Sequence, residues 1–178
     1  MALVTFLRGV NVGGYRTFRP ALLASQLKKY DVVNIGAAGT FVIPKPVSQA
    51  QLRAEVLRRL PFEPEVMICT GRELIAAAED CPFDGAMARS DTVQFVSVLA
   101  KAPRNLPAIP LQIPESGRWL LKVLSVRGRF VFGVYRREMK AIGCLSKMDR
   151  LFGSPATTRN WNTILAILKV LNASPSRR

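Results

Sequence analysis

Residues 32–43 read VVNIGAAGTFVI, two short apolar runs on either side of the turn GAAG. Valine, isoleucine and phenylalanine are typical of strands, and a glycine at each end of the turn permits the left-handed backbone that a tight reversal needs. The segment therefore predicts a β-hairpin with strands at residues 32–35 and 40–43.

The hairpin lies in the middle of a regular order of elements. An apolar strand is predicted at residues 2–7, and a helix at residues 20–30, where leucines recur at helical spacing after a proline. On the other side, a Ser-x-x-Gln capping box at residues 48–51 starts a helix, and residues 65–69 form a strand. A second capping box, Thr70-x-x-Glu73, starts a further helix directly after these first six elements. The order βαββαβ predicts a ferredoxin-like half, in which two helices cover a four-stranded sheet.

The second half repeats this order in outline. Strands are predicted at residues 92–99, 119–125 and 129–135, and one helix at residues 142–152. The first helix has no counterpart, because four prolines between residues 101 and 116 each remove a backbone donor, and an extended crossover is predicted there. Residues 90–152 are therefore predicted to be a degenerate copy of the first half.

A final helix is predicted after the turn Gly153-Ser154-Pro155, with Thr158 or Asn160 as its N-cap. Its apolar face is predicted to contain Trp161, Ile164, Leu165, Leu168 and Leu171. The predicted fold is α+β. We expect one compact unit made of two packed halves. The first is a ferredoxin-like half at residues 1–80, and the second is a degenerate half at residues 81–178 that includes the C-terminal helix.

The composition indicates a soluble globular protein. The chain has 178 residues and is 49% hydrophobic, which is enough to bury a core. No apolar run approaches the ~20 residues of a membrane span, and the first apolar stretch is too short for a secretory signal. Cys69, Cys81 and Cys144 form no C-x-x-C pair, so neither a disulfide framework nor a metal site is predicted. We expect a cytoplasmic protein with no membrane association.

The net charge of +14 is unevenly distributed along the chain. Residues 1–70 carry nine basic and four acidic side chains, residues 71–115 carry four and six, and residues 116–178 carry thirteen and two. Such a field raises the local concentration of anionic small molecules and of nucleic acid. A solubilising surface is the alternative explanation.

Residues 157–163, TTRNWNT, are unusually polar for a segment that directly precedes an apolar helix. A capping role accounts for one or two polar side chains, whereas this segment has five and an arginine. In the predicted helix, Arg159, Asn162 and Thr163 lie in the first turn, where unpaired N–H groups and the helix dipole favour an anion. We therefore predict an anion site here, with a purely structural capping cluster as the alternative.

Residues 8–14, RGVNVGG, follow the first strand directly. The glycines permit close approach to the backbone and Asn11 tolerates left-handed geometry, so the segment can form a concavity of N–H groups. Its spacing matches neither G-x-G-x-x-G nor a Walker loop, and a plain glycine turn is the alternative.

At these two segments the chain resembles the bacterial domain-of-unknown-function family sixteen ninety-seven, whose members typically read LLRGINVGG near the start and TTRNWNT near the end. The family implies an α/β fold and no established activity. Where its members usually carry serine-glycine-asparagine, this chain has Ala38-Gly39-Thr40, so a ligand shared by the family is expected to be held differently here. By resemblance, the site residues are Arg8, Asn11, Gly13, Gly14, Lys147, Thr158, Arg159, Asn160 and Asn162.

The chain contains no histidine, which removes the commonest general base and most nucleophilic dyads. No catalytic residue, metal or cofactor is predicted. An enzyme here would position an anionic substrate by positive charge or use Lys147 as a base.

Three functions therefore compete. The first is a binding module for an anionic ligand, a nucleotide or a nucleic-acid phosphate, in a cleft formed by both motifs. The second is a histidine-free enzyme acting on a phosphorylated metabolite, and the third is a structural protein whose polar motifs join the two halves. The strand at residues 40–43 lacks the basic-aromatic alternation of RNA-recognition modules.

Overall fold

The computed structural model describes residues 1–83 and 90–173. It shows an α+β fold with two antiparallel sheets and with helices that include one near the C-terminal end. The chain divides into two compact units. The first comprises Met1–Ile75 and the chain from Leu165 onward, and the second comprises Ala76–Ile164.

The first unit contains a four-stranded sheet. Its predicted hairpin is confirmed as β2 (Val33–Asn34) and β3 (Thr40–Ile43), with positive φ angles at the glycines that flank the turn. Strand β1 (Leu3–Leu7) pairs antiparallel with β3 on one side and with β4 (Val66–Thr70) on the other. The spatial order is therefore β2-β3-β1-β4.

Helices α1 (Pro20–Gln26), α2 (Gln49–Leu57) and α3 (Gly71–Glu79) connect these strands or follow them, and a 3-10 turn, Lys28–Tyr30, ends the predicted first helix. Both predicted capping boxes form. Ser48 Oγ accepts a hydrogen bond from the backbone N–H of Gln51, and Thr70 and Glu73 cap each other reciprocally.

The core of the first unit lies between one sheet face and the helices. Side chains on a strand alternate between faces, so every second residue of β1, β3 and β4 points to this core. Its buried members include Leu3, Leu7, Phe41, Ile43, Val66 and Ile68 from the sheet, and Leu23, Leu27, Leu52 and Val56 from the helical segments.

The second unit contains a five-stranded sheet with the order β6-β7-β8-β5-β9. Its strands are β5 (Thr92–Leu99), β6 (Leu111–Ile113), β7 (Leu121–Arg127), β8 (Phe130–Arg136) and β9 (Ala156–Asn160). The prolines keep residues 101–116 free of helix, as predicted, and β6 forms inside that crossover. A buried cluster that includes Phe95, Leu99, Leu121 and Val131 packs with Met148 and Phe152.

The single helix predicted at residues 142–152 is wrong. The structure has two short helices, α4 (Met139–Leu145) and α5 (Met148–Phe152), separated at Ser146 and Lys147. The backbone N–H of Lys147 bonds to the carbonyl of Cys144, three residues back, which tightens the turn and redirects the chain. This break lets both helices bury apolar side chains on the same sheet.

The helical first turn predicted around Arg159 is also wrong. Residues 156–160 form strand β9, which pairs antiparallel with β5 from Phe95 opposite Asn160 to Leu99 opposite Ala156. The two threonines of the motif suit a strand because their branched side chains pack well on a pleated surface. The last helix, α6 (Trp161–Ala173), begins only after the strand has ended.

The buried face of α6 differs in part from the predicted face. Ile164 and Leu171 are buried as expected, but Leu165 is 46% exposed and Ile167 takes its place in the interior. In the two described ranges, no helix combines the length and the apolar character needed to cross a bilayer.

Candidate functional site

Arg8 follows the last residue of β1. Its guanidinium Nη1 donates to Glu65 Oε2 at 2.7 Å, and its backbone N–H donates to the carbonyl of the same residue at 3.0 Å. Both side chains are partly exposed, so the ion pair is screened by solvent and contributes little to stability. An anion that binds Arg8 has to compete with Glu65.

Asn11 anchors the rest of the first motif. Its Nδ2 donates to the carbonyl of Ala37 at 2.9 Å, and its Oδ1 accepts from the backbone N–H of Phe18, also at 2.9 Å. Gly13 and Gly14 form a tight reversal with φ angles of 56° and 76°, and the backbone N–H of Tyr15 bonds to the carbonyl of Val12. The segment is a small hairpin. The Asn11 side chain forms hydrogen bonds to the protein's own backbone. The segment therefore differs from the predicted open concavity of N–H groups.

Gly39 lies in the segment in which this chain departs from the family. It packs closely against Leu7 and Val10, next to the first motif. It has a φ of 69°, and a Cβ there would lie 2.8 Å from Val10 Cγ2 and 2.9 Å from Leu7 Cβ. Its carbonyl accepts from the backbone N–H of Leu7. The glycine is therefore required by close packing as well as by its left-handed backbone.

Thr158 and Arg159 lie in β9 and point to opposite faces of the sheet. Thr158 Oγ1 is 2.6 Å from Ser97 Oγ on β5. Arg159 is only 7% exposed, and its Nη1 donates to Thr157 Oγ1 at 2.9 Å and to the carbonyl of Thr158 at 2.8 Å. Burial lowers the pKa of the Arg159 guanidinium to about 10. Both residues therefore contribute to the interior of the second unit.

Asn160 is the N-cap of α6, as predicted. Its Oδ1 accepts from the backbone N–H of Thr163 and from the Thr163 hydroxyl, both at 2.8 Å. Asn162, in the first turn, is exposed. The Trp161 ring packs edge-on against Phe83 and Phe132, with centroids 5.2 Å and 6.3 Å away. This aromatic cluster fixes the start of the helix.

A cleft of about 460 Å³ lies at the end of β9 and the start of α6. It forms because β9 ends opposite Phe95, so the beginning of β5 extends beyond its partner strand. All of its described lining residues belong to the second unit: Ser90, Thr92, Val93, Gln94, Tyr135, Arg137, Asn160, Trp161 and Asn162.

Arg137 is the cationic side chain of this lining. It is exposed, its Nε donates to the carbonyl of Thr92 at 3.4 Å, and it forms no ion pair with any residue that the structure describes. Tyr135 lies beside it, with its ring 5.8 Å from that of Phe95. Burial raises the pKa of the Tyr135 hydroxyl above its ordinary value.

The structure brings together some of the predicted site residues and not others. Asn160 and Asn162 line the cleft, while Thr158 and Arg159 are packed in the sheet. Lys147 is exposed between α4 and α5 and is not among the lining residues. Arg8, Asn11, Gly13 and Gly14 lie in the first unit, and their convergence with the second motif stays a prediction.

Sequence analysis missed Tyr135 and Arg137, because they come from the end of β8, distant in sequence from either motif. The signal available was the basic run Arg136-Arg137 directly after an apolar strand. Within the described ranges, no group of three or more cysteine, aspartate or glutamate side chains is placed to hold a metal ion.

The comparisons with known proteins point to one family. Residues 1–118 match the model of a family described as protein of unknown function (DUF1697), a range that contains the first motif and ends before the second. No curated protein and no solved structure matches the chain. Since the family model covers about two thirds of the sequence, the chain belongs to the family of proteins of unknown function DUF1697.

Proposed function

We propose that the protein is a binding module for a small phosphate-bearing ligand, held in the cleft at the start of α6. The observation that carries the proposal is the composition of that cleft. It combines a helix N-terminus, the Arg137 guanidinium and the exposed Asn162 amide in one concavity. These are three kinds of donor that recognise phosphate oxygens.

The electrostatics of the cleft favour an anion. Helix α6 has 13 residues, so its dipole places partial positive charge on the N–H groups of the first turn. Asn160 satisfies the N–H of Thr163, which leaves the earlier N–H groups of the turn for a ligand. None of the described lining residues is acidic. Among the described lining residues, a phosphate therefore meets the positive charge of Arg137 and no carboxylate.

The size and lining of the cleft favour a mononucleotide over a bare phosphate. A volume of about 460 Å³ lies within the range of roughly 300–1,000 Å³ typical of small-molecule sites. Trp161 and Tyr135 provide aromatic surface beside the polar groups. A base or sugar has room next to the phosphate.

The predicted joint cleft remains part of the proposal. Arg8, Asn11, Gly13 and Gly14 belong to it only if a ligand extends from the α6 cleft to the first motif. The ion pair between Arg8 and Glu65 counts against Arg8 as the main phosphate contact. We therefore assign the anchoring charge to Arg137.

We also propose that both units are variants of one ferredoxin-like unit, corresponding to the predicted halves at residues 1–80 and 81–178. Two topological facts support this. The first sheet has the order β2-β3-β1-β4, and four strands of the second follow the equivalent order β7-β8-β5-β9. In this comparison β9 is the fourth strand of the second unit and β6 is an addition to its edge.

Arg137→Ala tests the proposed site. The substitution removes a charge-assisted hydrogen bond, so we expect binding of AMP or ATP to weaken by about 1.5–3 kcal/mol, roughly 10- to 150-fold. The measurement is isothermal titration calorimetry, supported by ligand-induced shifts in melting temperature. Inorganic phosphate serves as the minimal probe.

Arg127→Ala is the matched control, because Arg127 is also an exposed arginine of the second unit and does not line the cleft. The two variants should have equal melting temperatures without ligand. Equal loss of affinity in both variants would show that the field of the whole chain, not this cleft, attracts the anion. An absence of binding by the wild-type protein at millimolar ligand would reject the proposal.

A further inference from the structure

The first motif forms an exposed finger, defined here as residues 11–16. Val12 and Tyr15 pair across its tip as an isolated antiparallel bridge, and the turn between them is Gly13-Gly14. Val12 is 68% and Tyr15 67% exposed, although both have large apolar side chains. A turn that served only to reverse the chain would not need these two side chains at its tip.

The finger is rigidly held at its base. Asn11 bonds to the carbonyl of Ala37 and to the backbone N–H of Phe18, and the backbone N–H of Asn11 bonds to the carbonyl of Arg16. Phe18 packs edge-on against Phe62, with ring centroids 6.2 Å apart. The exposed tip is thus presented in one conformation, which reduces the entropy lost when a partner binds.

Arg16 has a left-handed backbone, with a φ of 47°, which a long side chain rarely adopts. The strained residue places its guanidinium over the Tyr15 ring, with Cζ 5.3 Å from the ring centroid. One face of the ring is therefore covered by a cation, and the high exposure of Tyr15 leaves the other face open to solvent. Strained residues of this kind persist where the conformation serves a function.

The part of the chain that contains the finger carries charged side chains of one sign. The first 30 residues contain five basic side chains and no acidic one. Arg8 and Lys29 form ion pairs with Glu65 and Glu55, whereas Arg16 and Arg19 form none with the residues that the structure describes. Arg16, which lies over the ring, and Arg19, in the groove that follows the finger in the chain, are therefore available to a polyanion.

A groove of about 210 Å³ lies along α1 and the segment that follows the finger in the chain. Its lining starts at Thr17, directly after the finger, and includes Phe18, Arg19, Leu22 and Leu60. Leu22 is 53% exposed, so the groove presents an apolar wall with a cation beside it. Apolar surface for a base next to positive charge for the backbone is the pattern that single-stranded nucleic acid binds.

We propose that the finger binds single-stranded nucleic acid, with one base stacked on the open face of Tyr15 and the neighbouring phosphates contacted by Arg16 and Arg19. The geometry favours a single strand because an isolated, exposed ring stacks on an unpaired base, while a duplex keeps its bases stacked on each other. This surface lies entirely in the first unit and does not depend on the α6 cleft.

Tyr15→Ala tests this proposal in the full-length protein by fluorescence anisotropy with labelled oligouridylate, oligothymidylate and a duplex of equal length. We expect wild-type protein to prefer the single strands, and Tyr15→Ala to weaken their binding by about 5- to 150-fold, the effect of losing one stacked base. Tyr15→Phe keeps the ring and should bind within about 2-fold of wild type. The two single strands distinguish RNA from DNA as the preferred ligand.

Two further variants separate stacking from charge and from folding. Arg19→Ala should reduce the slope of log affinity against log salt by about 0.7, whereas Tyr15→Ala should leave that slope unchanged. Met139→Ala is the control for removing an exposed apolar side chain elsewhere, since Met139 is 82% exposed and lies in the second unit. It should bind like wild type.

Several results would overturn the proposal. They are equal affinity of wild type and Tyr15→Ala, equal affinity for single strands and duplex, or no binding at low salt. Loss of concentration-dependent self-association in Tyr15→Ala, seen by sedimentation without any change in oligonucleotide binding, would assign the finger to contact with a second copy of the chain.

Because Arg137 lies outside the finger, Arg137→Ala should leave oligonucleotide stacking on Tyr15 intact. The tests of the two proposed sites can therefore fail independently.

Discussion

Gly133→Ala is expected to lower the free energy of unfolding by at least about 3 kcal/mol. Gly133 lies in the middle of β8, opposite Phe95 on β5 and Val123 on β7. A Cβ at this position would be 2.3 Å from the carbonyl oxygen of Lys122 and 2.6 Å from Phe95 Cζ. The first neighbour is backbone in a paired strand, so it cannot move aside without disturbing the ladder.

The measurement is thermal unfolding followed by circular dichroism. For a chain of this size, a loss of about 3 kcal/mol corresponds to a fall of roughly 6–12 °C in melting temperature. Gly143→Ala is the matched control, because Gly143 lies in α4 and a Cβ there meets no atom within 4 Å. Alanine favours a helix by about 1 kcal/mol over glycine, so this control should melt at the same temperature or slightly higher. A Gly133→Ala variant as stable as the control would show that the sheet relaxes freely at its centre.

The elements that sequence analysis predicted correctly are those encoded by neighbouring residues. The hairpin at residues 32–43 is defined by its own glycines. In the caps at Ser48 and Thr70, each hydroxyl accepts a hydrogen bond from the backbone N–H three residues further along the chain. The prolines of residues 101–116 exclude a helix because each lacks a backbone N–H donor, whatever the rest of the chain does. Local chemistry was sufficient in each case.

Strand β9 was missed because its pairing is not local. The segment TTRN is followed directly by an apolar helix, and threonine is favoured both as a helix cap and in a strand. The decisive partner is β5, about 60 residues earlier, where Ser97 meets Thr158. Similarly, the cleft depends on where β9 ends relative to β5, and Arg137 enters it from the position directly after β8. Single-sequence patterns carry no information on such register.

The corrected position of the motif TTRNWNT divides it into two parts with different roles. Thr157, Thr158 and Arg159 are strand residues with mostly buried side chains, whereas Asn160 and Asn162 are exposed at the cleft. Sequence analysis treated all of them as one polar site. The polarity has two origins: hydrogen bonding inside a sheet, and the chemistry of a helix N-terminus.

Arg159→Ala is therefore expected to lower the free energy of unfolding by about 2–4 kcal/mol. The substitution removes the bonds of Nη1 to Thr157 and to the carbonyl of Thr158, and it leaves a cavity where the long side chain was packed. Burial disfavours the charged form of Arg159 and thereby lowers its pKa to about 10. Arg159→Met keeps much of the volume without the charge, so it should recover part of the loss.

Asn162→Ala is the matched control from the same motif. Its side chain is exposed, so the variant should unfold within about 0.5 kcal/mol of wild type while losing affinity for AMP or ATP. Urea denaturation gives the first quantity and calorimetry the second. If Arg159→Ala instead kept wild-type stability and lost only ligand binding, Arg159 would be a ligand contact as the sequence suggested. If Asn162→Ala lost stability and kept its affinity, the exposed half of the motif would be structural as well. The pair of variants thus separates the strand half of TTRNWNT from the half that faces the cleft.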